Sequence, residues 1–241
     1  MLKINSKCIP RKARIGANHH CLIIDDILEN PHEVISFATE HSSSFILQPR
    51  GTPGALMHVD EHKTSELKKF ICELLELSEV SISDRLVLWV YLAIITLPPY
   101  KLNWAQRLPH IDPGLQGYNS YAGVIYLFHD VNLGGTGFYR LINEHLVNRV
   151  REQFDQDYDA TSKALQDNFK MFREPSCYIT KTCEAAELLL EVPARFNRLV
   201  FYSGAIPHSP HIFMPELLTD NIEVGRLTLN FCVNIPKNIV V

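Results

Sequence analysis

The sequence contains no C-x-x-C pair, although it has 6 cysteines. Their irregular spacing argues against a zinc ribbon and against a disulfide-stapled scaffold. Free thiols in a reducing compartment are the simpler account, and they predict a cytoplasmic protein. The cysteines are Cys8, Cys21, Cys72, Cys177, Cys183 and Cys232.

Long apolar stretches are also missing. The longest, Leu86–Leu97, is shorter than the about 20 residues that a membrane-spanning helix needs. The first residues, MLKINSKCIPRKARIG, lack the apolar region of a signal peptide. We therefore expect no membrane partner and no secretory leader.

The chain has no long basic run, and its formal net charge is −4. Nucleic acid is therefore not expected as a partner. A basic cluster near the N-terminus suggests RNA or a membrane surface as alternatives, but it is more typical of a solvated terminal segment. The cluster consists of Lys7, Arg11, Lys12 and Arg14.

What is present is an ordinary globular composition, with 46% apolar and 21% charged residues over 241 positions. This predicts one domain over residues 1–241, with residues 1–85 as mostly helical support. One helix should begin in NPHEVISFATEH, where Asn30 can cap, Pro31 suits the first turn and Glu33 completes a capping box. A second is predicted in TSELKKFICELLEL, because its apolar residues fall on one helix face.

From Arg85 onward the sequence is rich in β-branched and aromatic residues, which favours strands. A charged segment, Glu144–Phe172, interrupts them and is predicted to be mostly helical. The fold class is therefore α+β, a double-stranded β-helix (jelly roll) over residues 86–241, with supporting helices and a helical insertion. Strands are predicted at Cys21–Asp25, Arg85–Leu97, Tyr118–Phe128, Ser176–Thr182, Ala186–Val192, Arg198–Tyr202 and Leu227–Ile235.

The segment R-L-P-H-I-D-P-G contains a pair of metal-ligand types, His110 and Asp112. Residues i and i+2 of an extended chain point to the same side, so both side chains can reach one metal ion. Pro109 and Pro113 bracket the pair and place it at the end of a strand. A third ligand must then come from a distant strand.

His208 in FYSGAIPHSPH follows the apolar strand RLVFY and meets that requirement. Two histidines and one carboxylate form the facial triad of non-haem Fe(II) oxygenases, which leaves coordination positions open. Only two residues separate His211 from His208, so His211 is the alternative third ligand. We favour His208 because it is nearer the end of the strand.

An iron site of this kind can bind 2-oxoglutarate through two open positions and O2 through the last. The far carboxylate of 2-oxoglutarate then needs a cation, and Arg226 lies at the head of the strand GRLTLNF. A guanidinium can donate two parallel hydrogen bonds to a carboxylate. Thr228 faces the same way and can add a hydroxyl donor.

A competing cluster, His58-Val-Asp60-Glu-His62, lies beside a Gly- and Pro-rich loop. No strand is predicted around it, so we interpret its residues as solvated or capping. His129-Asp130 and His19-His20 are likewise interpreted as loop residues.

The order of these motifs resembles the 2-oxoglutarate/Fe(II)-dependent dioxygenase superfamily, in its prolyl-hydroxylase-like branch. The matching segments are PHIDPGLQGYNSYAGVIYLFHDVNLGGTGFY, RLVFYSGAIPHS and GRLTLNF. In that branch a strand ending in Tyr-Leu follows H-x-D, here Tyr126-Leu127, and a Gly-Gly turn comes next, here Gly134-Gly135. The resemblance covers about residues 100–235, and the chain also looks like an uncharacterised bacterial subgroup.

The resemblance implies that His110, Asp112 and His208 hold iron, and that Arg226 and Thr228 bind 2-oxoglutarate. It implies the same for Tyr126, which is equally well explained as a core aromatic residue. The implied reaction consumes O2, hydroxylates a substrate and releases succinate and CO2. One departure is the insert HIFMPELLTDNIEV, which lengthens the interval before Arg226 and keeps His211 open as a ligand.

The substrate, a small molecule or a peptide, is not specified by the sequence, and nothing in it supports an oligomer. Four residues flanking the motifs are candidates for the cavity mouth: Trp104, Arg107, Tyr139 and Arg140. The alternative functions are a cupin-like protein that binds a metal or ligand without oxidation and an inactive scaffold of the same fold. The pair Arg226 and Thr228 favours the oxygenase, because a pure metal cupin does not need it.

Overall fold

The computed structural model describes residues 2–49, 51–77, 86–112, 114–144 and 158–237. Within them, the helices are α1 (Pro31–Glu40), α2 (Ser65–Leu74) and α3 (Tyr158–Asn168). The strands are β1 (Arg11–Ile15), β2 (His19–Ile24), β3 (Ile46–Leu47), β4 (Gly54–His58), β5 (Val87–Ile95), β6 (Tyr118–Tyr126), β7 (Gly135–Leu141), β8 (Ala186–Val192), β9 (Leu199–Ser203), β10 (His208–His211) and β11 (Arg226–Pro236).

The strands form two sheets. The large sheet has the order β1-β2-β9-β6-β11-β5-β4-β3, and the small sheet has the order β10-β7-β8. From β6 to β11 the chain passes repeatedly from one sheet to the other, and every pairing in the described residues is antiparallel. The inner faces of the sheets share one apolar cluster, to which Phe138 of β7 and Tyr202 of β9 belong. The fold is therefore a β-sandwich.

The outer face of the large sheet is covered by α1 and α2. Val34 of α1, Ile71 of α2 and Leu229 of β11 belong to one buried apolar cluster. Both helices carry one apolar stripe, as the sequence predicts, and this stripe is what the sheet buries. The helices therefore leave the inner face of the sheet free for a site.

Strand β11 lies at the centre of the large sheet, paired with β5 on one edge and β6 on the other. Its side chains alternate between the faces of the sheet. The even-numbered positions Arg226, Thr228 and Asn230 line an internal cavity, whereas Leu227 and Leu229 join the helix-facing core. A single strand thus separates packing residues from candidate site residues.

The N-terminal segment is less helical than predicted. Both predicted helices are present, but four strands, β1 to β4, also extend the large sheet. Three members of the basic cluster, Arg11, Lys12 and Arg14, belong to β1. They are exposed to solvent, but they lie in a strand rather than in an irregular terminal segment. Division of the chain into domains remains a prediction.

The predicted capping box of α1 is absent. The helix begins at Pro31, but Asn30 makes no side-chain cap hydrogen bond. Its amide nitrogen Nδ2 instead donates to the Glu33 carboxylate over 3.0 Å. The two side chains therefore bond to each other, and proline alone accounts for the start of the helix.

Strand predictions at β2, β5, β6, β8, β9 and β11 are confirmed, but the one at Ser176–Thr182 is wrong. The interpretation of His19-His20 as loop residues is also wrong, because β2 begins at His19 and both residues pair with β1. Tyr178 and Ile179 are buried, as the apolar pattern indicates. The segment is held through side chains rather than a ladder, since the Tyr139 hydroxyl donates to the Ile179 carbonyl over 2.9 Å. Of the predicted insertion Glu144–Phe172, residues 145–157 lie outside the described part, and the rest contains α3 followed by a 3₁₀ turn at Lys170–Phe172. No described helix has the length and apolar character needed to cross a membrane.

Candidate metal centre

His110, Asp112 and His208 come together at one end of the sandwich. Backbone hydrogen bonds join His110 and His208 in both directions, with N–O distances of 2.9 and 2.8 Å. The Asp112 amide also donates to the Gly204 carbonyl over 2.9 Å. The short H-x-D segment is thereby fixed against β10 and the turn before it, and the three side chains offer ligand atoms that lie within 4.8 Å of one another.

The donor atoms have the spacing of a shared ion. Nε2 of His208 lies 3.4 Å from Oδ2 of Asp112, and Nε2 of His110 lies 3.9 Å from Oδ1. Two ligands with bonds of about 2.1 Å to one metal can be at most about 4.2 Å apart. Both histidine–carboxylate distances fall below that limit, so each histidine can share an ion with Asp112.

The ring of His208 is also oriented for metal binding. Its Nδ1 lies 2.9 Å from the Ile206 carbonyl oxygen, which can only accept a hydrogen bond. Nδ1 therefore carries a proton, and in the neutral ring Nε2 presents its lone pair towards Asp112. Such a bond from the remote nitrogen is the usual way in which a protein fixes a histidine ligand.

His211 belongs to a different environment. Its Nε2 bonds to the Thr180 carbonyl over 2.9 Å, and its Nδ1 lies 3.4 Å from Oε1 of Glu191. It lies three positions after His208, an odd offset, so the two side chains leave β10 on opposite faces. The structure therefore groups His208, and not His211, with His110 and Asp112.

The competing cluster around His58 does not form a metal group among the described residues. Contrary to the prediction, a strand does contain His58, which is the last residue of β4. Its exposed ring contacts Tyr91 edge-on, with centroids 6.4 Å apart. Asp60 precedes a short 3₁₀ turn that includes His62.

A cavity of about 740 Å³ opens from the three residues into the space between the sheets. Its volume lies within the range of about 300–1,000 Å³ that is typical of small-molecule sites. His208 is almost completely buried, whereas the side chain of His110 is 48% exposed, so the group lies at the rim. Polar residues of β11 line the wall, and most of the remaining lining is apolar: Ala93, Ile95, Trp104, Leu108, Ala122 and Val124.

Arg226 lies in the same cavity wall and is 97% buried, at 3% exposure. Its Nε donates to the Leu133 and Gly134 carbonyls at 3.0 and 3.3 Å, and its Nη2 donates to the Gly135 carbonyl at 2.8 Å. One edge of the guanidinium is therefore held by the backbone. Nη1 and the second hydrogen of Nη2 remain, and together they form the end-on fork that suits a carboxylate.

Burial lowers the pKa of Arg226 to about 10, which still leaves the guanidinium charged at neutral pH. No described carboxylate forms an ion pair with it, and the Phe128 ring lies 5.6 Å from its central carbon. A buried charge is normally paired, because removing it from water is costly. Three carbonyl dipoles offset only part of that cost, so an anionic ligand suits this position.

The Gly134-Gly135 turn allows this carbonyl cradle to form. Gly134 has φ +81°, and a Cβ there would lie 2.0 Å from the His211 carbonyl oxygen. A Cβ on Gly135 would lie equally close to the Val192 carbonyl oxygen. The Gly-Gly turn noted in the sequence therefore also supports Arg226.

Thr228 and Tyr126 are near Arg226 but are engaged within the protein. The Thr228 hydroxyl accepts from Asn230 Nδ2 at 2.8 Å and donates weakly to the Ala93 carbonyl at 3.4 Å. The Tyr126 hydroxyl bonds to Thr136 Oγ1 over 2.7 Å in a fully buried position. Thr136 lines the cavity, and Tyr126 stands behind it. The roles of both residues towards a ligand remain predictions.

A family model matches residues 7–233, nearly the whole chain. The chain belongs to DUF6445. This is a family of unknown function, so membership by itself assigns no activity. No curated protein matches the sequence significantly.

Solved structures resemble the DUF6445 chain at low identity. HygX from Streptomyces hygroscopicus, with nickel, 2-oxoglutarate and hygromycin B bound, is 12% identical, with 90% of this chain and 83% of HygX covered and a TM-score of 0.45. EvdO2 from Micromonospora carbonacea var. aurantiaca is 11% identical, with 90% and 86% covered and a TM-score of 0.44. A prolyl hydroxylase from Trichoplax adhaerens, in complex with a hypoxia inducible factor peptide, is 11% identical, with 90% and 84% covered and a TM-score of 0.43. At these values the similarities carry no conclusion about function.

Two tyrosines of the DUF6445 chain near the metal group were missed in the sequence. Tyr91 and Tyr202 line the cavity, and burial together with the Asp112 carboxylate raises the pKa of both hydroxyls. Their positions in β5 and β9 follow the inward alternation that also places Asn230 in the wall. This alternation is the signal that identifies them, once the inward face is known.

Of the four residues predicted at the mouth, only Trp104 lines the main cavity. Tyr139 is buried in the small sheet, and Arg140 forms an ion pair with Glu187 on the neighbouring strand. Arg107 is buried on the other side of the Trp104 segment. Flanking one of the motifs in the sequence therefore did not indicate which side chains face the cavity.

Proposed function

We propose that this chain is a jelly-roll oxygenase that depends on Fe(II) and 2-oxoglutarate and hydroxylates a substrate. The observation that carries the proposal is the presence of two complementary sites in one cavity. His110, Asp112 and His208 offer two nitrogens and a carboxylate at one end, and the buried Arg226 has no carboxylate partner among the described residues. A metal-binding protein without a co-substrate has no use for the second site.

The strand order supports the jelly-roll assignment. In that fold eight strands alternate between two four-stranded sheets. Here β5, β11, β6 and β9 are neighbours in the large sheet, and the backbone bridge between His110 and His208 adds a fourth member to β10, β7 and β8. The same bridge holds the H-x-D segment beside the third ligand.

In the proposed enzyme, His110, Asp112 and His208 hold the metal on one face. Iron with 2-oxoglutarate bound supplies O2 activation, coupled to the release of succinate and CO2. The hydrogen bond from His208 to Ile206 fixes the ring and its tautomer. Arg226, held by its three carbonyls, orients the distal carboxylate of the co-substrate, and Thr228 and Tyr126 complete the polar surroundings of that end.

The cavity wall has its own part in the reaction. Ala93, Leu108 and Val124 exclude water from the space between the two ends. Excluding water strengthens the pairing of Arg226 with a carboxylate, because the local dielectric is low. The substrate then approaches from the rim, where the ring of His110 is exposed.

The test is an anaerobic titration of the purified protein with Fe(II) and 2-oxoglutarate, followed by visible absorption, and then a labelled 2-oxoglutarate turnover assay. We expect a charge-transfer band with the wild-type protein and with His58→Ala, but not with Asp112→Ala. Admission of air to the wild-type protein should then yield succinate. Metal binding without 2-oxoglutarate binding would favour the cupin-like alternative. If the band persists in His208→Ala and disappears in His211→Ala, then His211 and not His208 is the third ligand.

A further inference from the structure

A second, smaller cavity lies on the other side of Trp104 from the main cavity. Its volume is about 160 Å³, and Trp104 is common to the linings of both. The other lining residues are Leu102, Arg107, Ser162, Gln166 and Phe172. Unlike the main cavity, it holds no member of the metal group and plays no part in the proposed reaction.

Arg107 is the charged residue of this small cavity, and it is 94% buried, at 6% exposure. Its Nη2 donates to the carbonyl oxygens of Met171 and Glu174, the latter at 3.4 Å. The Phe172 ring lies 4.8 Å from the central carbon of the guanidinium. All of these contacts are with uncharged groups, because the Glu174 atom is a backbone oxygen.

The Arg107 guanidinium therefore has a hydrogen-bond donor and a charge that no described group satisfies. Its Nε is buried without a hydrogen-bond acceptor, and no described Asp or Glu side chain forms an ion pair with it. Burial lowers the pKa of Arg107, but an arginine remains protonated at neutral pH. A buried cation with neither a counter-charge nor a full set of acceptors is unusual in a native protein.

The rest of the cavity supplies polar groups suited to an anion. Ser162 and Gln166 lie one turn apart on α3, so they project from the same face of the helix. A hydroxyl and an amide can each donate a hydrogen bond to an oxyanion. The volume of this cavity is several times the ~30 Å³ that one water molecule occupies in the liquid, so a tetrahedral oxyanion fits.

We propose that this cavity is a binding site for a small oxyanion, such as inorganic phosphate, with Arg107 as its principal ligand. The anion supplies the missing counter-charge, and Ser162 and Gln166 complete its surroundings. Because α3 provides two of the ligands and Trp104 a wall of both cavities, a bound anion braces α3 against the wall of the main cavity. This site is independent of iron and of 2-oxoglutarate.

Calorimetric titration of the full chain with inorganic phosphate, at constant ionic strength and without metal, tests the proposal. Saturable binding at one site is expected for wild-type protein and for Arg173→Gln, which removes an exposed arginine of the same segment. Arg107→Gln should lose saturable binding, and Ser162→Ala should weaken it about 10-fold, as expected for a hydrogen bond to a charged group. Absence of saturable binding by the wild type overturns the proposal.

The other buried arginine provides the decisive comparison. Arg226→Gln should retain phosphate binding, because Arg226 lies in the main cavity. Loss of binding in Arg226→Gln, with retention in Arg107→Gln, would assign the anion to the main cavity and overturn the proposal. If Arg107→Gln does not fold, the decision passes to the double variant Ser162→Ala, Gln166→Leu. At least 10-fold weaker binding then supports the site, and unchanged affinity overturns it.

Discussion

The two faces of β11 have opposite chemical characters, although they share one backbone and the same two neighbouring strands. On one face, Leu227 and Leu229 pack into the apolar cluster beneath α1 and α2. On the other, Arg226 and Thr228 line the cavity between the sheets. The helix-facing side provides apolar burial, and the cavity-facing side carries a charge and hydrogen-bonding groups, which are costly to bury unless they are paired.

This contrast shows how a fold can keep a polar site beside a stable core. Removing apolar atoms from the outer face should change the free energy of unfolding and leave ligand affinity intact. Changes on the inner face should do the reverse. Variants on either face of β11 therefore test whether the two faces are independent.

The largest effect is expected from Asp112→Ala. It removes the only carboxylate of the metal group, so Fe(II) affinity should fall by more than about 100-fold, beyond what loss of an outer-shell partner costs. Fe(II) binding is measured anaerobically by competition with a chelator. The melting temperature of the metal-free protein should change little, and a large drop would show that the site is part of the structural core.

Leu229→Ala is the matched test of the outer face. Leu229 is fully buried, and truncation of a buried leucine costs about 2–5 kcal/mol of unfolding free energy. Urea denaturation measures this loss. At a temperature where the variant is folded, its Fe(II) and 2-oxoglutarate affinities should match the wild type, and a parallel loss of affinity would contradict the separation of the faces.

Arg226→Lys keeps a positive charge on the inner face but removes the planar fork. We expect the dissociation constant for 2-oxoglutarate to rise by about 10–100-fold, since hydrogen bonds to charged groups are lost. Calorimetry with the metal-loaded protein under anaerobic conditions gives the constant. Fe(II) affinity serves as the control, because the metal ligands are untouched.

Gly134→Ala should have a smaller effect on the same constant. An added Cβ meets the His211 carbonyl oxygen at 2.0 Å, so the turn must shift and carry the Arg226 acceptors with it. Overpacking of this kind lowers the free energy of unfolding by about 1–3 kcal/mol. Gly117→Ala is the control, because Gly117 has a nearly equal φ of +84° but nothing lies within 4 Å of an added Cβ. Equal changes in the two variants would assign the effect to backbone strain alone.

His58→Ala should have the smallest effect. The side chain is exposed and lies outside the metal group, so the unfolding free energy should stay within about 0.5 kcal/mol of the wild type. Fe(II) affinity should be unchanged in the same chelator competition. A tenfold loss of iron binding would restore the cluster around His58 as a candidate.

The sequence predicted that His110, Asp112 and His208 lie close together, and for the first two the reason is local; their role as metal ligands stays a prediction. His110 and Asp112 are two positions apart in an extended segment, and that spacing alone places them on one side. The choice of His208 over His211 also followed from strand position, and opposite faces of β10 explain it. The cradle of Arg226 was beyond the sequence, because its acceptors are backbone carbonyls of a distant turn.

The fold was predicted unevenly for a related reason. Strands rich in β-branched residues, such as β5, were identified, whereas β7 was missed because GTGFYRL begins with glycines that pack against neighbouring backbone. The segment Ser176–Thr182 has a strand-like composition but buries Tyr178 without joining a ladder. Composition reports burial, and only the partner strand decides whether a segment becomes part of a sheet.

The outermost strands of the large sheet have a consequence for how copies of the chain meet. A sheet edge exposes unpaired backbone groups, which can recruit strands from other molecules and start aggregation. One edge is β1, where Arg11, Lys12 and Arg14 place positive charges along the strand, and the other is β3, which has only two residues. The charges on β1 and the short length of β3 thus disfavour edge-to-edge pairing of the large sheet with strands of other molecules.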